Sequence, residues 1–176
     1  MTQANQFAHP SVLREWTVDD GPWYVAQLGD SQLQRFTTES VTTTLRQFSQ
    51  ALDDMDIADD GWGRAIQDPD TGELAGNLAA SFADDVAKIS YWLAEPFRGR
   101  GLATRAVSEA LSWIHRNWPG TQVATLSIRE GNVASEAVAS RLGFKRDPCR
   151  DERIQVRGDF WNMQAWSRTQ RAGADN

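Results

Sequence analysis

The chain has 176 residues, of which 40% are hydrophobic and 24% charged. This size and composition indicate one globular domain over residues 1–176, with loose polar ends at 1–8 and 169–176. A pI of 4.9 and the lack of a basic aromatic platform argue against nucleic acid as a partner. No apolar run could span a membrane, no N-terminal signal core is present, and the single Cys149 excludes an internal disulfide, so we expect a cytoplasmic protein without a membrane partner. Two histidines and one cysteine are too few for a metal site, and no metal is expected.

Charge is divided unevenly between the two halves of the chain. Residues 1–97 carry a net charge of −11 and residues 98–176 a net charge of +5. A basic half suits a phosphate-rich cofactor, and an acidic half would attract a cationic acceptor. A chance division of surface charge would give the same numbers, so both interpretations stay open.

The first sixty residues predict one strand and two helices. In chain order these are a strand over 12–16, a helix over 22–28 capped by Asp19 and Asp20, and a helix over 41–52 capped within 37–40. An acidic loop follows at 53–60. It is either simply solvated, or it attracts cationic amines electrostatically.

The remainder of the chain alternates strands and helices. In order we expect strands over 62–67 and 73–82 joined by a turn at 68–72, a strand over 86–94, a helix after Gly101, a strand over 121–128, a helix over 132–142, and two last strands near 144–147 and 156–166. The short links around the helix after Gly101 imply two parallel neighbouring strands. The sequence therefore predicts an α/β fold: a mixed, mostly antiparallel sheet with helices on both faces and a central parallel βαβ unit.

The segment from Phe97 to Val107 predicts a phosphate-binding turn. Gly99 and Gly101 lie between the strand over 86–94 and an amphipathic helix. Glycine permits a positive φ and leaves no Cβ between a ligand and the peptide N–H groups. Free N–H groups and the dipole at a helix start favour an anion, and Arg98 and Arg100 add positive charge beside them.

Two common phosphate motifs do not fit this segment. A P-loop requires Gly-Lys-Ser/Thr after four intervening residues, and no such residues follow. A dinucleotide fingerprint requires Gly or Ala where the chain has Thr104, and an acidic residue about twenty positions on, where 120–125 contains none.

Four segments resemble one family. Tyr91-Trp92-Leu93 is similar to its fourth strand, whose exposed backbone groups hold the pantetheine arm. Arg98-x-x-Gly101-x-Ala103 resembles the pyrophosphate loop of the GCN5-related N-acetyltransferases (GNAT). Asn132-x-x-Ser135 followed by Leu142-Gly143-Phe144 resembles a later block of the same family. Residues 158–162 resemble the Gly-x-Trp-x-Asp stretch of the branch that acetylates ribosomal protein N-termini. The element order also matches, and the resemblance covers about residues 10–168.

The resemblance implies an N-acetyltransferase that uses acetyl-CoA without a metal. A primary amine, from a protein N-terminus or a small molecule, would attack the thioester directly in a ternary complex. The implied cofactor-binding residues are Trp92 and Leu93 for the pantetheine arm, Arg98, Gly99, Arg100, Gly101, Leu102 and Ala103 for the pyrophosphate, and Asn132 and Ser135 near the reacting end. Dimers are common in this branch, so a homodimer is a further possibility.

The same resemblance implies few catalytic side chains. Ser135 falls where the branch has a general acid beside the cofactor sulfur, although serine is also common in the first turn of a helix. Asp147 falls where the branch has a glutamate base, one methylene longer. Glu95, just after the strand over 86–94, is the rival base, and a water chain without a dedicated base remains open. The N–H of Leu93 is the expected donor to a developing oxyanion.

A different class of protein would keep these residues without chemistry. A catalytically silent module that senses CoA thioesters would need the phosphate turn but not an acid beside the sulfur. The presence of both Asn132 and Ser135 favours the enzyme.

Cys149 has no neighbouring histidine in the sequence and is interpreted as a residue without a catalytic role. The resemblance implies that Trp23, Trp62, Trp161 and Trp166 fall on elements that flank the acceptor groove, and that one or two of them line it.

Overall fold

The structure is a computed structural model that describes residues 10–57 and 60–170, without the side chains of 55–57. The segments 1–9 and 171–176, and Asp59 of the predicted acidic loop, lie outside the described residues. The helices are α1 (Gly21–Gln27), α2 (Ser31–Phe36), α3 (Leu45–Ile57), α4 (Leu102–Asn117) and α5 (Val133–Arg141). The strands are β1 (Leu13–Arg14), β2 (Gly61–Gln67), β3 (Leu74–Ala83), β4 (Val86–Leu93), β5 (Val123–Arg129), β6 (Lys145–Arg146), β7 (Glu152–Val156) and β8 (Asp159–Thr169).

All eight strands form one sheet. Its order is β1-β2-β3-β4-β5-β8-β6, with β7 beside β6 on the outer edge of β8. Every pairing is antiparallel except that of β4 with β5, which is parallel because α4 connects them. The predicted α/β fold, with its central parallel βαβ unit, is confirmed.

Helices cover both faces of the sheet. Apolar residues of α4 and α5, including Val107, Ile114 and Val138, pack with Ala87 and Ile89 of β4 in the main core. On the opposite face a smaller cluster contains Trp92 of β4 and residues of α1 and α2. Successive side chains of a strand point to opposite faces, so β4 contributes to both cores.

Strands β4 and β5 separate halfway along their length. Their pairing ends at Ile89 and Leu126. Beyond that point β4 stays paired with β3 as far as Leu93, and β5 stays paired with β8 as far as Arg129. The result is a cleft in the middle of the sheet, bordered by residues 90–93 on one side and 127–129 on the other.

The N-terminal helices differ from the sequence prediction in three ways. α2 was not predicted, and α3 begins at Leu45 instead of residue 41 because Thr44 and Gln47 form its capping box. Asp20 does not cap α1 through its side chain, since its carboxylate binds Arg14 and the Thr17 N–H.

The C-terminal strands also differ from the prediction. One strand was expected over 156–166, but the chain forms the β7–β8 hairpin, whose two-residue turn is Arg157-Gly158. Both turn residues have positive φ, 51° and 89°, as a two-residue hairpin turn requires. The loose C-terminal end was predicted to start at residue 169. The structure is ordered beyond that point, because Thr169 belongs to β8 and the Gln170 N–H bonds the Gln122 carbonyl.

The acidic segment is helical through Ile57 and is not a loop at that point. It leads into Gly61 of β2, which pairs with Ser81, and Ser81 pairs with Lys88 of β4. Lys88 precedes Leu93 by five residues, or roughly 17 Å along a strand. The acidic segment therefore lies towards the end of the sheet opposite Leu93, away from the cleft. Within 10–57 and 60–170, no helix has the length and apolar character needed to cross a bilayer.

Candidate active site

The predicted phosphate turn leads from the cleft into α4. A short 3₁₀ turn over Glu95–Phe97 follows β4, and Gly99 and Gly101 then adopt φ values of 74° and 79°. The first hydrogen bond of α4 runs from the Arg105 N–H to the Gly101 carbonyl. The N–H groups of 101–104 find no acceptor among the described residues. A Cβ at either glycine would meet nothing within 4 Å, so the turn is open towards a ligand.

The two arginines of the turn are already paired. Arg98 donates from Nε to the Leu93 carbonyl at 2.9 Å and from Nη2 to Asp30 at 2.6 Å. Arg100 Nη2 lies 2.7 Å from the buried carboxylate of Asp68 in the β2–β3 turn. In this arrangement both guanidinium groups stabilise the turn, and an anion would be held mainly by the N–H groups and the dipole of α4.

The Asp30 carboxylate has three roles at once. It caps α2 by accepting from the Leu33 N–H at 2.6 Å, it binds Arg98, and it thereby joins α2 to the turn. Burial acts to raise the pKa of Asp30, but the hydrogen bonds from Arg98 and Leu33 outweigh it and hold the pKa below its ordinary value.

Backbone groups of β4 line the cleft. The Ala94 N–H bonds the Ala75 carbonyl on the β3 side. Because N–H and C=O groups alternate in direction along a strand, those of Tyr91 and Leu93 point away from β3 into the cleft. The Leu93 carbonyl is bound by Arg98, which leaves the Leu93 N–H as a donor facing the cleft.

The Ser135 hydroxyl lies near that of Tyr91, a residue in the part of β4 that borders the cleft. Asn132 caps α5 by accepting from the Ser135 N–H at 3.2 Å, and this bond fixes Ser135 in the first turn of α5. The Tyr91 hydroxyl is buried and has no hydrogen-bond partner within the described part of the chain. Burial raises the pKa of Tyr91, and the adjacent Ser135 hydroxyl acts in the opposite direction.

The two predicted bases occupy different places. Glu95 is exposed and lies two residues after Leu93, at the mouth of the cleft. Asp147 lies beside β8, where it binds Ser167 at 2.9 Å and Arg150 at 3.2 Å. Three strand spacings of about 4.8 Å separate it from β4, roughly 14 Å. Tyr91, Leu93 and Glu95 follow one another along β4 and the turn after it, and Ser135 lies near Tyr91. Asp147 is three strands away from them.

The opposite face of β4 carries an aromatic cluster around one carboxylate. Glu39, in the segment between α2 and α3, accepts from the Tyr24 hydroxyl at 2.9 Å and from the Trp92 indole N–H at 3.1 Å. Trp23 stacks on Trp92 with ring centroids 6.0 Å apart. Of the four predicted groove tryptophans, Trp23 belongs here and Trp161 lies against Arg129, whereas Trp62 and Trp166 pack in the main core.

The sequence interpretation missed Glu39 and the surroundings of the Tyr91 hydroxyl. In the sequence, Tyr91 is one of the alternating apolar positions of β4. This alternation predicts that Tyr91 is buried, but it does not predict that the Ser135 hydroxyl lies near it. Glu39 lies in a segment without periodicity, next to an unpredicted helix. No local signal distinguishes Glu39 from other acidic residues, because its partners Tyr24 and Trp92 are 15 and 53 positions away.

Comparison with protein families identifies the class. A model of the acetyltransferase (GNAT) domain matches residues 11–145. This match covers most of the chain, and the protein therefore belongs to the GNAT acetyltransferase family.

One curated relative and two solved structures illustrate the similarity. YdaF of Bacillus subtilis strain 168, whose name assigns it provisionally to the ribosomal N-acetyltransferases, is 28% identical over 99 residues, 54% of each chain. The chain thus spans about half the length of this relative. The ribosomal L7/L12 alpha-N-protein acetyltransferase RimL, solved with coenzyme A, has a TM-score of 0.76 at 20% identity, covering 92% of this chain and 94% of its own. Spermidine N-acetyltransferase from Vibrio cholerae, solved with CoA and spermine, has a TM-score of 0.77 at 13% identity, covering 90% and 94%.

Across the described residues, no group of three or more His, Cys, Asp or Glu side chains is placed to hold a metal ion. The groups that the cleft and the turn offer are peptide N–H groups and hydroxyls, which suit a phosphate-bearing thioester.

Proposed function

We propose that this protein is an N-acetyltransferase that transfers an acetyl group from acetyl-CoA to a primary amine in the cytoplasm. The observation that carries the proposal is the cleft between β4 and β5, which runs from Ser135 and Tyr91 to the open N–H groups at Gly101. A pantetheine arm laid in the cleft would complete the interrupted hydrogen bonding of β4. Its pyrophosphate would then lie on the N-terminus of α4. The co-substrate supplies the activated acetyl group.

Positioning would supply most of the rate. Holding an amine and a thioester in a productive geometry is worth about 7–11 kcal/mol. The Leu93 N–H stabilises negative charge that develops on a carbonyl oxygen in the cleft. Ser135 donates a proton to the departing sulfur, and Tyr91 supports the Ser135 hydroxyl from within the core. This arrangement of hydroxyl groups favours catalysis over silent sensing, which would not require it.

The amine must lose a proton before or during its attack, because a free α-amine has a pKa near 8 and a lysine amine near 10.4. Glu95 is an exposed carboxylate two residues after Leu93, and we assign it this role with intervening water. A base at Asp147 would require a water chain across two intervening strands. The contacts with Arg150 and Ser167 favour a structural role for Asp147.

Thiol release from acetyl-CoA in the presence of a panel of amines tests the activity. The panel contains monoamines, diamines and short peptides with free N-termini, and we expect CoA to appear only when an amine is present. Binding of acetyl-CoA with no release for any amine would support the sensing module and contradict the enzyme.

Gly101→Asp tests the location of the co-substrate. A carboxylate in the turn would repel phosphate, and we expect CoA affinity by calorimetry to fall by more than about tenfold. Gly143→Asp is the matched control, because Gly143 has a φ of 77° and nothing within 4 Å of an added Cβ, and it lies outside the phosphate turn. Equal losses in the two variants would show that backbone strain, and not phosphate binding, is responsible.

A further inference from the structure

The Glu39 carboxylate is bound only by neutral donors. One oxygen accepts from the Tyr24 hydroxyl at 2.9 Å and the other from the Trp92 indole N–H at 3.1 Å. Burial, followed by the nearby charge of Glu39, raises the pKa of Tyr24 above its usual range, so the hydroxyl stays a donor. Within 10–57 and 60–170, no Lys, Arg or His nitrogen lies within 4.0 Å of this carboxylate. The two hydrogen bonds therefore fix the position of the carboxylate, but no cationic side chain in these ranges neutralises its negative charge.

A nearby cation is directed elsewhere. Arg157, in the turn of the β7–β8 hairpin, donates to the backbone carbonyls of Glu39 at 2.9 Å and Thr37 at 3.1 Å, and also to that of Gln34. These bonds hold the segment between α2 and α3 against the hairpin. They use the guanidinium without neutralising the Glu39 side chain.

Two aromatic residues hydrogen-bond this carboxylate, and a third stacks on one of them. Trp92 lies between Trp23 and Tyr24, with ring centroids 6.0 Å and 5.4 Å away. The faces of Trp and Tyr rings attract cations. Trp92 is buried and stacked by Trp23, so the partly exposed rings of Trp23 and Tyr24 are the ones that can offer a face to an ammonium group beside the carboxylate. Glu39 itself is half-buried, so a ligand can reach it.

The position of Glu39 relates it to the reaction. Trp92 immediately precedes Leu93, whose N–H faces the cleft, but its side chain points to the face of β4 opposite Tyr91. Glu39 therefore lies at the same end of β4 as the proposed reaction, one indole ring away from the strand. The pantetheine arm would fill the cleft itself, which leaves this face for the acceptor.

We propose that Glu39, with Trp23, Tyr24 and Trp92, binds a second ammonium group of the acceptor. This inference rests on the proposed function and names its substrate class: an amine that carries another cation besides the reacting nitrogen. The reacting amine must be neutral to attack, and a carboxylate bound directly to it would stabilise its protonated form. The ammonium that Glu39 binds is thus a separate one. A polyamine chain and a lysine near a peptide N-terminus both present such a group.

A binding measurement tests this without relying on turnover. The protein saturated with CoA is titrated by calorimetry with 1,5-diaminopentane and with 5-amino-1-pentanol, which differ in one ammonium group. We expect the diamine to bind at least about tenfold more tightly, as the loss of a charge-assisted contact implies. Glu39→Gln keeps the shape of the side chain and should reduce the preference to within about twofold. Glu152→Gln, the same change in an exposed residue of β7, should leave it intact.

The outcomes separate this inference from the proposed function. A wild-type protein without preference for the diamine, or a Glu39→Gln variant that keeps the preference, overturns the role of Glu39. If Glu39→Gln does not fold, Glu39→Asp and the wild-type comparison decide the question, because the shortened side chain should weaken diamine binding selectively. Diamine binding without thiol release supports the Glu39 site while overturning the acetyltransferase. Turnover of Ser-Lys-Ala against Ser-Gln-Ala, compared with spermidine, then shows whether a peptide or a polyamine supplies the second ammonium.

Discussion

The hydroxyl groups of Ser135, in the first turn of α5, and of Tyr91, in β4, lie near each other. Ser135 is fixed by the Asn132 cap, and Tyr91 is fixed by burial in the strand. A buried hydroxyl that has no hydrogen-bond partner lowers the free energy of unfolding. Such a group is consistent with a partner that arrives only with the co-substrate.

Replacing Ser135 by alanine should lower kcat by about 10²–10⁴-fold, the range for general acid–base catalysis. The dissociation constant of CoA should hardly change, because a general acid acts in the transition state. Steady-state kinetics and calorimetry measure the two quantities. Ser140→Ala, an exposed serine of the same helix, is the control, and equal kcat values for both variants would reduce Ser135 to a residue of the helix start.

Replacing Tyr91 by phenylalanine separates stability from function. Removal of an unpaired buried hydroxyl should leave the free energy of unfolding unchanged or increase it by up to about 1 kcal/mol. The value of kcat should fall if Tyr91 supports the Ser135 hydroxyl. Urea denaturation and thiol-release kinetics provide the test. A destabilised variant with normal kcat would contradict both expectations.

The sequence predicted the parts of the site that depend on local patterns. The turn at Gly99 and Gly101 and the cap at Asn132 have spacings that lie within one segment. The ion pairs of Arg98 and Arg100 could not be predicted, because Asp30 and Asp68 lie 68 and 32 positions earlier in the chain. Only the folded sheet brings these carboxylates to the turn.

The element that connects the two sides of the site is α2. Its cap, Asp30, also binds Arg98, so the start of this helix is held to the turn that precedes α4. Six residues are too few for a stable isolated helix, and tertiary contacts must maintain it. Leu33, buried against Leu28 and Trp92, supplies the apolar contact.

Two substitutions of Asp30 distinguish its roles. Asp30→Asn keeps a good capping residue but removes the charge opposite Arg98, and Asp30→Ala removes both. We expect Asn to lower the free energy of unfolding by about 1 kcal/mol. Alanine should cost a further 0.5–2 kcal/mol, roughly the value of an N-cap. Chemical denaturation measures both, and the same loss in each would show that the cap contributes little.

Elements with a regular pattern were predicted better than those that depend on distant contacts. The hairpin of β2 and β3, β4, α4 and β5 occur where alternation and helical periodicity placed them. α2 is too short to show a period, and its stability comes from Leu28 and Trp92. The β7–β8 turn carried a signal in Gly158, but Arg157 at positive φ has no sequence signature. Its donation to three carbonyls of the segment after α2 explains how that conformation is held.

Across the whole molecule, carboxylates bound by arginine set the response to acid. The hydrogen bond from Arg14 lowers the pKa of Asp20, and Arg98 and Leu33 lower that of Asp30 despite burial. For a lowered folded pKa, the stabilisation is complete above the unfolded value of about 3.9 and is lost as pH falls through the folded value. The urea midpoint should therefore decline below about pH 4.

Asp20→Asn tests this at one site. The variant should be less stable at pH 7, and its midpoint should fall less steeply between about pH 4 and pH 2. Asp84→Asn, in the exposed β3–β4 turn, serves as the comparison. A variant whose acid slope equals that of the wild type would show that Asp20 does not contribute to the acid response.

The separation of β4 from β5 also has a consequence for amide hydrogen exchange. Ladder bonds protect the amides of a strand, but the N–H groups of Tyr91 and Leu93 face the cleft, while those of Trp92 and Ala94 bond β3. Neighbouring amides of one buried strand should therefore exchange with deuterium at alternating rates, fast at 91 and 93 and slow at 92 and 94. Saturation with CoA should slow the exchange at 91 and 93 alone and remove the alternation. If NMR shows this pattern, the amide exchange rates of Tyr91 and Leu93 would report directly on whether CoA is bound in the cleft.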